Sequence, residues 1–519
     1  MMDDQGTLLE LSAQGKEGAR KKKAEESGEK KLRHIDRTQI NLVQLDVESL
    51  IDEDHAARGI WEATERLDLK HFEAEIRSVE GAAGRCAWPP QLLVAIWLYG
   101  YSRGITSARE LERQMAYEPG LMWLTGLQQV NHHTLSDFRV NHWEALTKLF
   151  SELLMVLTGA GLVTMRLVAH DGTKIRAQAG VDSQRREETV RQKLEQMRTL
   201  VEQDPQAEGG GSKREQAARE RARREREQRA QAALQELEQI QLRLKQEDHK
   251  ARARVSVTDP EARRMKHGDN AILPSYNAQI STDADSGVIV GVGLNQSPAD
   301  AHLLLPAIDE IQKTTGRMPD KIVADGGYTN LQTIQAAAEA SVDFYGSLPD
   351  PQERSAAAMK SHGIDPAYAP QFFILQPQTR TAQCPAGQQM KYLRTHKKRG
   401  DTYTSYRAEG ASCMACAHQT KCCPNTAAKG RTVSFRGRQR EVIAAFRNKM
   451  ATEEGRSIYR RRGAVAEFPF AQIKERMRLR KFRLFGLAKS RTELMWAALT
   501  YNVMIWIRLA KPQLATAAA

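Results

Sequence analysis

Three widely separated acidic residues are the side chains of this sequence best suited to chemistry. Asp171 closes the apolar run Leu167-Val168-Ala169-His170-Asp171-Gly172. Asp325 closes another, Lys321-Ile322-Val323-Ala324-Asp325-Gly326-Gly327-Tyr328. Glu467 opens a basic amphipathic stretch, Glu467-Phe468-Pro469-Phe470-Ala471-Gln472-Ile473-Lys474. Hard divalent cations take oxygen ligands, and carboxylates at strand ends can converge on them, as a two-metal phosphoryl-transfer site requires. A single Asp-Gly is also an ordinary turn. Two of them, each after an apolar strand, meet at one edge if the strands are neighbours. Like charges so placed repel and raise a pKa, and a divalent ion removes that penalty.

Glu467 and Lys474 lie seven residues apart and share one helix face. An acid for a metal and a lysine for a phosphate make a chemical pair. The plain alternative is a solvated surface pair. The basic surroundings favour the functional reading: Arg460, Arg461 and Arg462 lie upstream, and Arg476, Arg478, Arg480, Lys481 and Arg483 downstream. Pro469 fits the first turn of a helix that begins close to Glu467. Lys174 and Arg176, just beyond Asp171, are weaker phosphate candidates. His170 points away from Asp171 if the strand is regular. Phe468, Phe470, Ile473, Met477 and Phe482 read as core.

The cysteines form a second group. Cys384-Pro385-Ala386-Gly387 precedes Cys413-x2-Cys416 and Cys422-Cys423-Pro424. A CxxC with two further thiols suits a tetrahedral, structural Zn2+ held by Cys384, Cys413, Cys416 and Cys422. Cys423 or His418 could replace Cys422, and a small cluster of reduced thiols fits the spacing equally well. Cys86 stands alone.

Elements must position these groups. Residues 40–160 read as helical, with an all-round apolar helix over 91–99 after Trp88-Pro89-Pro90 and a new helix from Thr106-Ser107. Strands are expected over 162–172, 275–281, 287–294, 321–325 and 342–348, and helices over 301–314, 329–340, 453–482 and 488–509. The order is a three-strand meander followed by strands joined through helices, an α/β mixed sheet with flanking helices. Val190, Leu194, Met197 and Val201, then Ala230, Ala233, Leu237, Ile240 and Leu244, suggest a coiled-coil hairpin over 183–254. Residues 349–440 read as irregular. The division is therefore a tail over 1–39, disordered by composition, and a helical N-terminal domain over 40–160. A catalytic domain assembled from 161–182, 255–348 and 441–510 follows, with two inserts, 183–254 and 349–440.

Bulk properties narrow the partner. The 519 residues carry a net charge of +13 with a pI near 9.4, which favours a polyanion, nucleic acid first. The apolar run Leu494–Leu509 is broken by Asn502 and Arg508 and is too short for a bilayer. The N-terminus lacks the order of a signal peptide, so a cytoplasmic, nucleoid-associated location with reduced thiols is expected.

At the C-terminal helix a resemblance becomes specific. Tyr459, Arg462, Glu467 and Lys474 resemble the tyrosine-arginine-glutamate-lysine signature of bacterial insertion-sequence transposases of the DDE type. The step from Arg462 to Glu467 is one residue longer than in the best-known version. Gly100-Tyr101-Ser102-Arg103-Gly104, Asp171-Gly172-Thr173-Lys174, Tyr276-Asn277-Ala278-Gln279 and Ala324-Asp325-Gly326-Gly327-Tyr328 are similar to the insertion-sequence group numbered eleven-eighty-two over roughly residues 40–508. The resemblance implies a ribonuclease H-like catalytic domain in which Asp171, Asp325 and Glu467 hold two Mg2+ or Mn2+ ions. Lys474, Arg462, Tyr459, Lys174 and Arg478 are then the candidate DNA contacts. It implies binding of double-stranded DNA at terminal inverted repeats, strand cleavage, and joining to target DNA by a homodimer assembled on DNA. The alternative is a non-catalytic, sequence-specific DNA-binding protein derived from such an enzyme.

Overall fold

A computed structural model describes residues 44–74, 76, 86–202, 212–348, 359–376, 379–398, 401–436 and 439–517. The expected tail over 1–39 and the Gly/Pro break near 204–211 lie outside the described residues. Strand β1, Val168–Arg176, is the centre of a six-stranded mixed sheet. The short strands β2, Gln184–Arg185, and β3, Val255–Ser256, pair with each other at the base of a helical insert. Strands β4, Arg263–Lys266, β5, Ile272–Asp283, and β6, Ile289–Asn295, follow, then β7, Lys321–Ala324, and β8, Asp343–Gly346.

The sequence alternates as this sheet demands. β5 runs antiparallel to β1, and its other edge takes β4 and then β6, both antiparallel. β7 and β8 are parallel to β1 and follow helices Leu304–Thr315 and Leu331–Glu339. β1 runs to Arg176, past the expected end at 172. Asp171 and Gly172 are therefore interior strand residues, opposite Ile280 and Gln279. The Asp-Gly pair reads locally as a turn, but the β5 ladder overrides that preference.

The two faces of β1 have separate packing. Leu167 and Ala169 join Val323 of β7, Tyr345 of β8, and Ile458 and Ala466 of helix Glu453–Ala471. Val168, on the other face, joins the main core, which also takes in the N-terminal helices; Ile175, on the face of Ala169, reaches that core near the end of the strand. Helix Pro90–Ser102 is buried on nearly every face, with Pro90 in its first turn. Its Trp97 lies 6.4 Å from Trp496 of the last helix, Leu487–Ala517. That helix also reaches β6, where the Asn502 amide accepts from the Ile289 N–H and donates to the Ile289 carbonyl, both at 2.8 Å. The polar residue that interrupts an apolar run thus completes the ladder of an edge strand.

Two inserts leave this body. Helices Glu187–Glu202 and Lys213–Arg243 lie side by side with Val190, Leu194, Ala230, Ala233 and Leu237 buried. Glu187 bonds Gln241 at one end and Arg198 meets Glu227 at 3.7 Å further along, so the pair is antiparallel. The second insert differs from the irregular segment expected. It holds a five-stranded antiparallel sheet: β9, Ile374–Gln376, β10, Thr381–Gln383, β11, Gln389–Lys398, β12, Asp401–Arg407, and β13, Thr432–Arg436. Its strands are short or, like Lys391-Tyr392-Leu393-Arg394-Thr395-His396-Lys397, mostly polar. The usual apolar alternation is therefore missing. Among the described residues, no helix is long and apolar enough to cross a membrane.

Candidate active site

Strand geometry brings two of the three acids together. β1 and β7 pair in parallel with Val168 opposite Ile322 and Ala169 opposite Val323. Continuing that register sets Asp171 level with Asp325, one residue past the end of β7. Both share the strand parity of Ala169 and Val323, so both emerge on the face covered by helix Glu453–Ala471. Burial pushes the Asp171 carboxyl up to about 6. The Gly172 N–H opposes that shift, Asp325 adds to it, and Arg462 opposes it. Asp325 accepts from the Gly327 N–H at 2.7 Å, and a Cβ on Gly327 would stand 2.9 Å from the carboxylate.

The covering helix supplies cations. Arg462 lies four residues from both Ile458 and Ala466, on the buried stripe, and its guanidinium is 3.8 Å from Asp171 Oδ2. The Tyr459 ring lies beneath that guanidinium at 5.8 Å. Lys474 donates to the Thr173 hydroxyl on the same face of β1, and burial lowers its pKa. Tyr459 also borders a cleft of about 860 Å³ with Arg447, Arg456 and Arg460.

Glu467 is placed differently. It follows Ala466 on the helix but is exposed, and it is not one of the leading charges that shift Asp171. Among the described residues, no three His, Cys, Asp or Glu side chains are grouped for a metal ion. Pro469 does not start a helix. It sits inside Glu453–Ala471, which begins 14 residues before Glu467. Proline cannot donate to the carbonyl four residues back. The helix passes just beyond it into a π-turn, Gln472–Arg476, in which Met477 N–H bonds to the Gln472 carbonyl at 3.1 Å. The widened turn carries Lys474 to Thr173.

That turn explains a glycine in the N-terminal helices. Gly104 has φ +72°, and a Cβ there would meet the Arg476 carbonyl at 2.7 Å and the Arg478 side chain at 3.1 Å. Arg478 itself is exposed with φ +56°.

The opposite face of β1 carries a polar network whose roles the sequence did not reveal. His170, Gly172 and Lys174 face Ser281, Gln279 and Asn277 of β5. The Ser281 hydroxyl donates to His170 Nδ1, and His170 Nε2 donates to Gln279 Oε1, each at 2.9 Å. The Tyr328 hydroxyl donates to the same oxygen at 2.6 Å. Gln279 and Asn277 donate to Asp300 at 3.3 and 2.6 Å, and Lys174 holds both Asp300 oxygens at 3.2 Å. Lys174 thus lies on the face away from Asp171 and is already ion-paired. Gly172 leaves the space for this network, since a Cβ would collide with the Gln279 amide and stand 2.6 Å from the Tyr328 hydroxyl. For Asn277 and Gln279 the sequence offered the Tyr276-Asn277-Ala278-Gln279 stretch of the resemblance, which gave them no role. Asp300 lies in a loop and gave no signal.

Two family models match the chain. One, described as transposase DDE domain, matches residues 383–505. The other, described as transposase domain (DUF772), matches residues 45–141. Glu467, Arg462 and Lys474 fall within the first match, and Asp171 and Asp325 lie outside both. No curated protein and no solved structure matches the chain. The two matches support an insertion-sequence transposase of the DDE type.

Proposed function

We propose that this chain is a DDE transposase that binds the terminal inverted repeats of a bacterial insertion sequence and performs metal-dependent cleavage and transfer of DNA strands. The observation that carries the reading is the pairing of Asp171 and Asp325 on neighbouring parallel strands, under a helix that brings Arg462 and Lys474 to the same face. The strand order β6-β5-β1-β7-β8, with a three-strand antiparallel meander beside two parallel strands, supports a ribonuclease H-like catalytic core. Residues 40–160 are the assigned DNA-reading part, and a homodimer on DNA is the assigned assembly.

In this reading Asp171 and Asp325 would hold two Mg2+ or Mn2+ ions together with a third ligand. Asp171 is strained toward its protonated form by burial and by Asp325, and a hard cation on the two carboxylates relieves both effects. Glu467 is assigned as the third ligand by its position beside Ala466 on the covering helix and by the signature around it, not by contact. Such ions supply activation of a water and charge stabilisation at phosphorus. The chain's own residues do the rest. Arg462 screens Asp171 in the absence of metal and turns to a phosphate oxygen when the carboxylate is engaged. Lys474, held beside Thr173, places a second positive charge on the DNA backbone, and Arg478 extends that basic surface. Lys174 holds Asp300 and so fixes the floor of the site.

The exposure of Glu467 favours one other reading, a DNA-binding protein without catalysis. Incubation with supercoiled DNA that carries the repeats, with Mg2+ or Mn2+, separates the two. Asp171→Asn, Asp325→Asn and Glu467→Gln should each lower nicking on the order of 10²-fold or more while DNA binding persists. Nicking that survives all three substitutions overturns the enzymatic reading.

A further inference from the structure

The insert built on β9–β13 has its own, very small core. Phe373, Ala382, Met390, Tyr406, Ala408, Val433 and Phe435 are its buried apolar residues. A sheet with so few buried side chains is marginal unless something else ties it together. The same insert gathers five of the six cysteines. Cys384, Cys413, Cys416, Cys422 and Cys423 line one cavity of about 20 Å³, together with Tyr368, His418 and Arg431. That space suits a single atom or water rather than a small organic molecule.

We propose that this cavity is a structural zinc site with Cys384, Cys413, Cys416 and Cys422 as its ligands. The backbone is shaped for it at both ends. Cys384-Pro385-Ala386-Gly387 forms a tight turn, with the Gly387 N–H on the Cys384 carbonyl at 2.8 Å and Gly387 at φ +80°. The turn closes with the Cys384 N–H on the Gln388 carbonyl at 2.9 Å. Cys413 and Cys416 bracket the end of helix Gly410–Met414, with the Cys416 N–H on the Cys413 carbonyl at 3.3 Å. The Arg431 N–H already points at Cys413 Sγ at 3.4 Å, the kind of backbone donor that supports a thiolate. Cys422 ends helix Gln419–Cys422 facing Cys384 and Cys413. Cys423 is 2% exposed and its thiol hydrogen-bonds those of Cys413 and Cys422 at the edge of the same cavity.

All five thiols are free, and among the described residues none are yet set at metal-ligand spacing. Each ligand has one side-chain torsion to turn, and four sulfurs about 2.3 Å from one ion complete a tetrahedron. Binding releases the thiol protons to solvent and leaves two net negative charges on the tetrathiolate centre, beside the Arg431 guanidinium. The ion joins the β9–β10–β11 end of the insert to the helical turn after β12. None of Asp171, Asp325, Arg462 and Lys474 lines the cavity, so the ion's role is to hold the insert and not to act on DNA. The inference does not depend on the transposase reading.

The test uses the full chain, purified reduced and without chelator. Elemental analysis should find one zinc per chain, and exchange for Co2+ should give the intense visible bands of a tetrahedral thiolate site. Substituting Ser for all four ligands should abolish both, whereas Cys423→Ser and Cys86→Ser should leave both unchanged. Chelation should open the insert to protease while the rest of the chain resists. A wild-type protein without stoichiometric zinc and without a cobalt–thiolate spectrum overturns the proposal. Disulfides among the five cysteines, or full zinc content after the fourfold substitution, overturn it equally.

Discussion

At the scale of single residues, the candidate site separates two jobs across one strand. Odd-numbered positions of β1 present Asp171 and Thr173 to the cationic helix, and even-numbered positions present His170 and Lys174 to a closed polar network. A buried network of this kind stabilises only when every member is satisfied. His170 meets that condition as a neutral ring, with Ser281 donating to one nitrogen and Gln279 accepting from the other. Burial lowers its pKa to about 4 from the ordinary 6.5, and the hydrogen bond to Gln279 partly opposes the shift. The sign follows from the proton count. Between those values the unfolded chain binds a proton that the native ring refuses. Stability from this group is complete above pH ~6.5 and declines as pH falls towards 4. The full loss is on the order of 3–4 kcal/mol. His170→Gln should therefore be less stable than wild type at pH 7, and the gap should narrow steadily down to pH 4 in chelator-treated protein. Denaturant titrations at several pH values measure it. A gap that is flat or widens towards acid shows that His170 does not titrate as the geometry requires.

At the scale of elements, the covering helix and the edge strand are decided by residues that break local rules. Pro469 lies in a helix interior, and a π-turn follows it. Asn502 lies in a buried helix and finishes the ladder of β6. Replacing Asn502 by Leu keeps the branched shape but leaves the Ile289 N–H and carbonyl without the amide. A loss of about 2–3 kcal/mol is expected, seen as a lowered midpoint in urea with little change in slope. A neutral result would mean that water or a shifted strand takes over those bonds. These rule-breaking positions also mark where sequence reasoning succeeds and fails. The apolar runs before Asp171 and Asp325 disclosed two buried strands, because a buried parallel strand needs uninterrupted Val, Ile and Ala on both faces, but not that the two are neighbours. The register that sets the two acids level comes from long-range pairing and is not encoded locally. β1 was expected to end at Gly172, because no local signal shows that Gln279 and Tyr328 need the space of a missing side chain. The cysteine-bearing sheet was missed for a related reason. Its strands are held by backbone ladders around a core of seven residues, and their exposed faces carry Lys, Arg and Thr where periodicity looks for apolar residues.

At the scale of the whole molecule, the helices that precede the sheet are not an independent module. Residues Val47–Ala519 form one compact unit, and one buried cluster runs from Ile51 through the sheet to Trp506. The seam is specific. Trp97 packs on Trp496, the Trp496 indole donates to the Arg139 carbonyl at 3.3 Å, and the Arg139 guanidinium lies 4.5 Å over Trp97. Buried Glu493 accepts from the Arg483 and Leu484 N–H groups nearby, and burial raises its pKa. Helix Pro90–Ser102 therefore has no face that could meet water once helix Leu487–Ala517 is gone. Exposing even a few of its side chains costs about 1.5–3 kcal/mol each, which exceeds the margin of most small domains. A fragment of residues 44–160 should then lack a cooperative thermal transition and be digested rapidly, although its sequence holds most of the N-terminal helices. Adding the segment 487–517 in trans should restore protection at helix Pro90–Ser102, read by hydrogen exchange. A fragment that melts cooperatively alone would show that the shared seam is dispensable. It would also free the N-terminal helices to move against the sheet when DNA is bound.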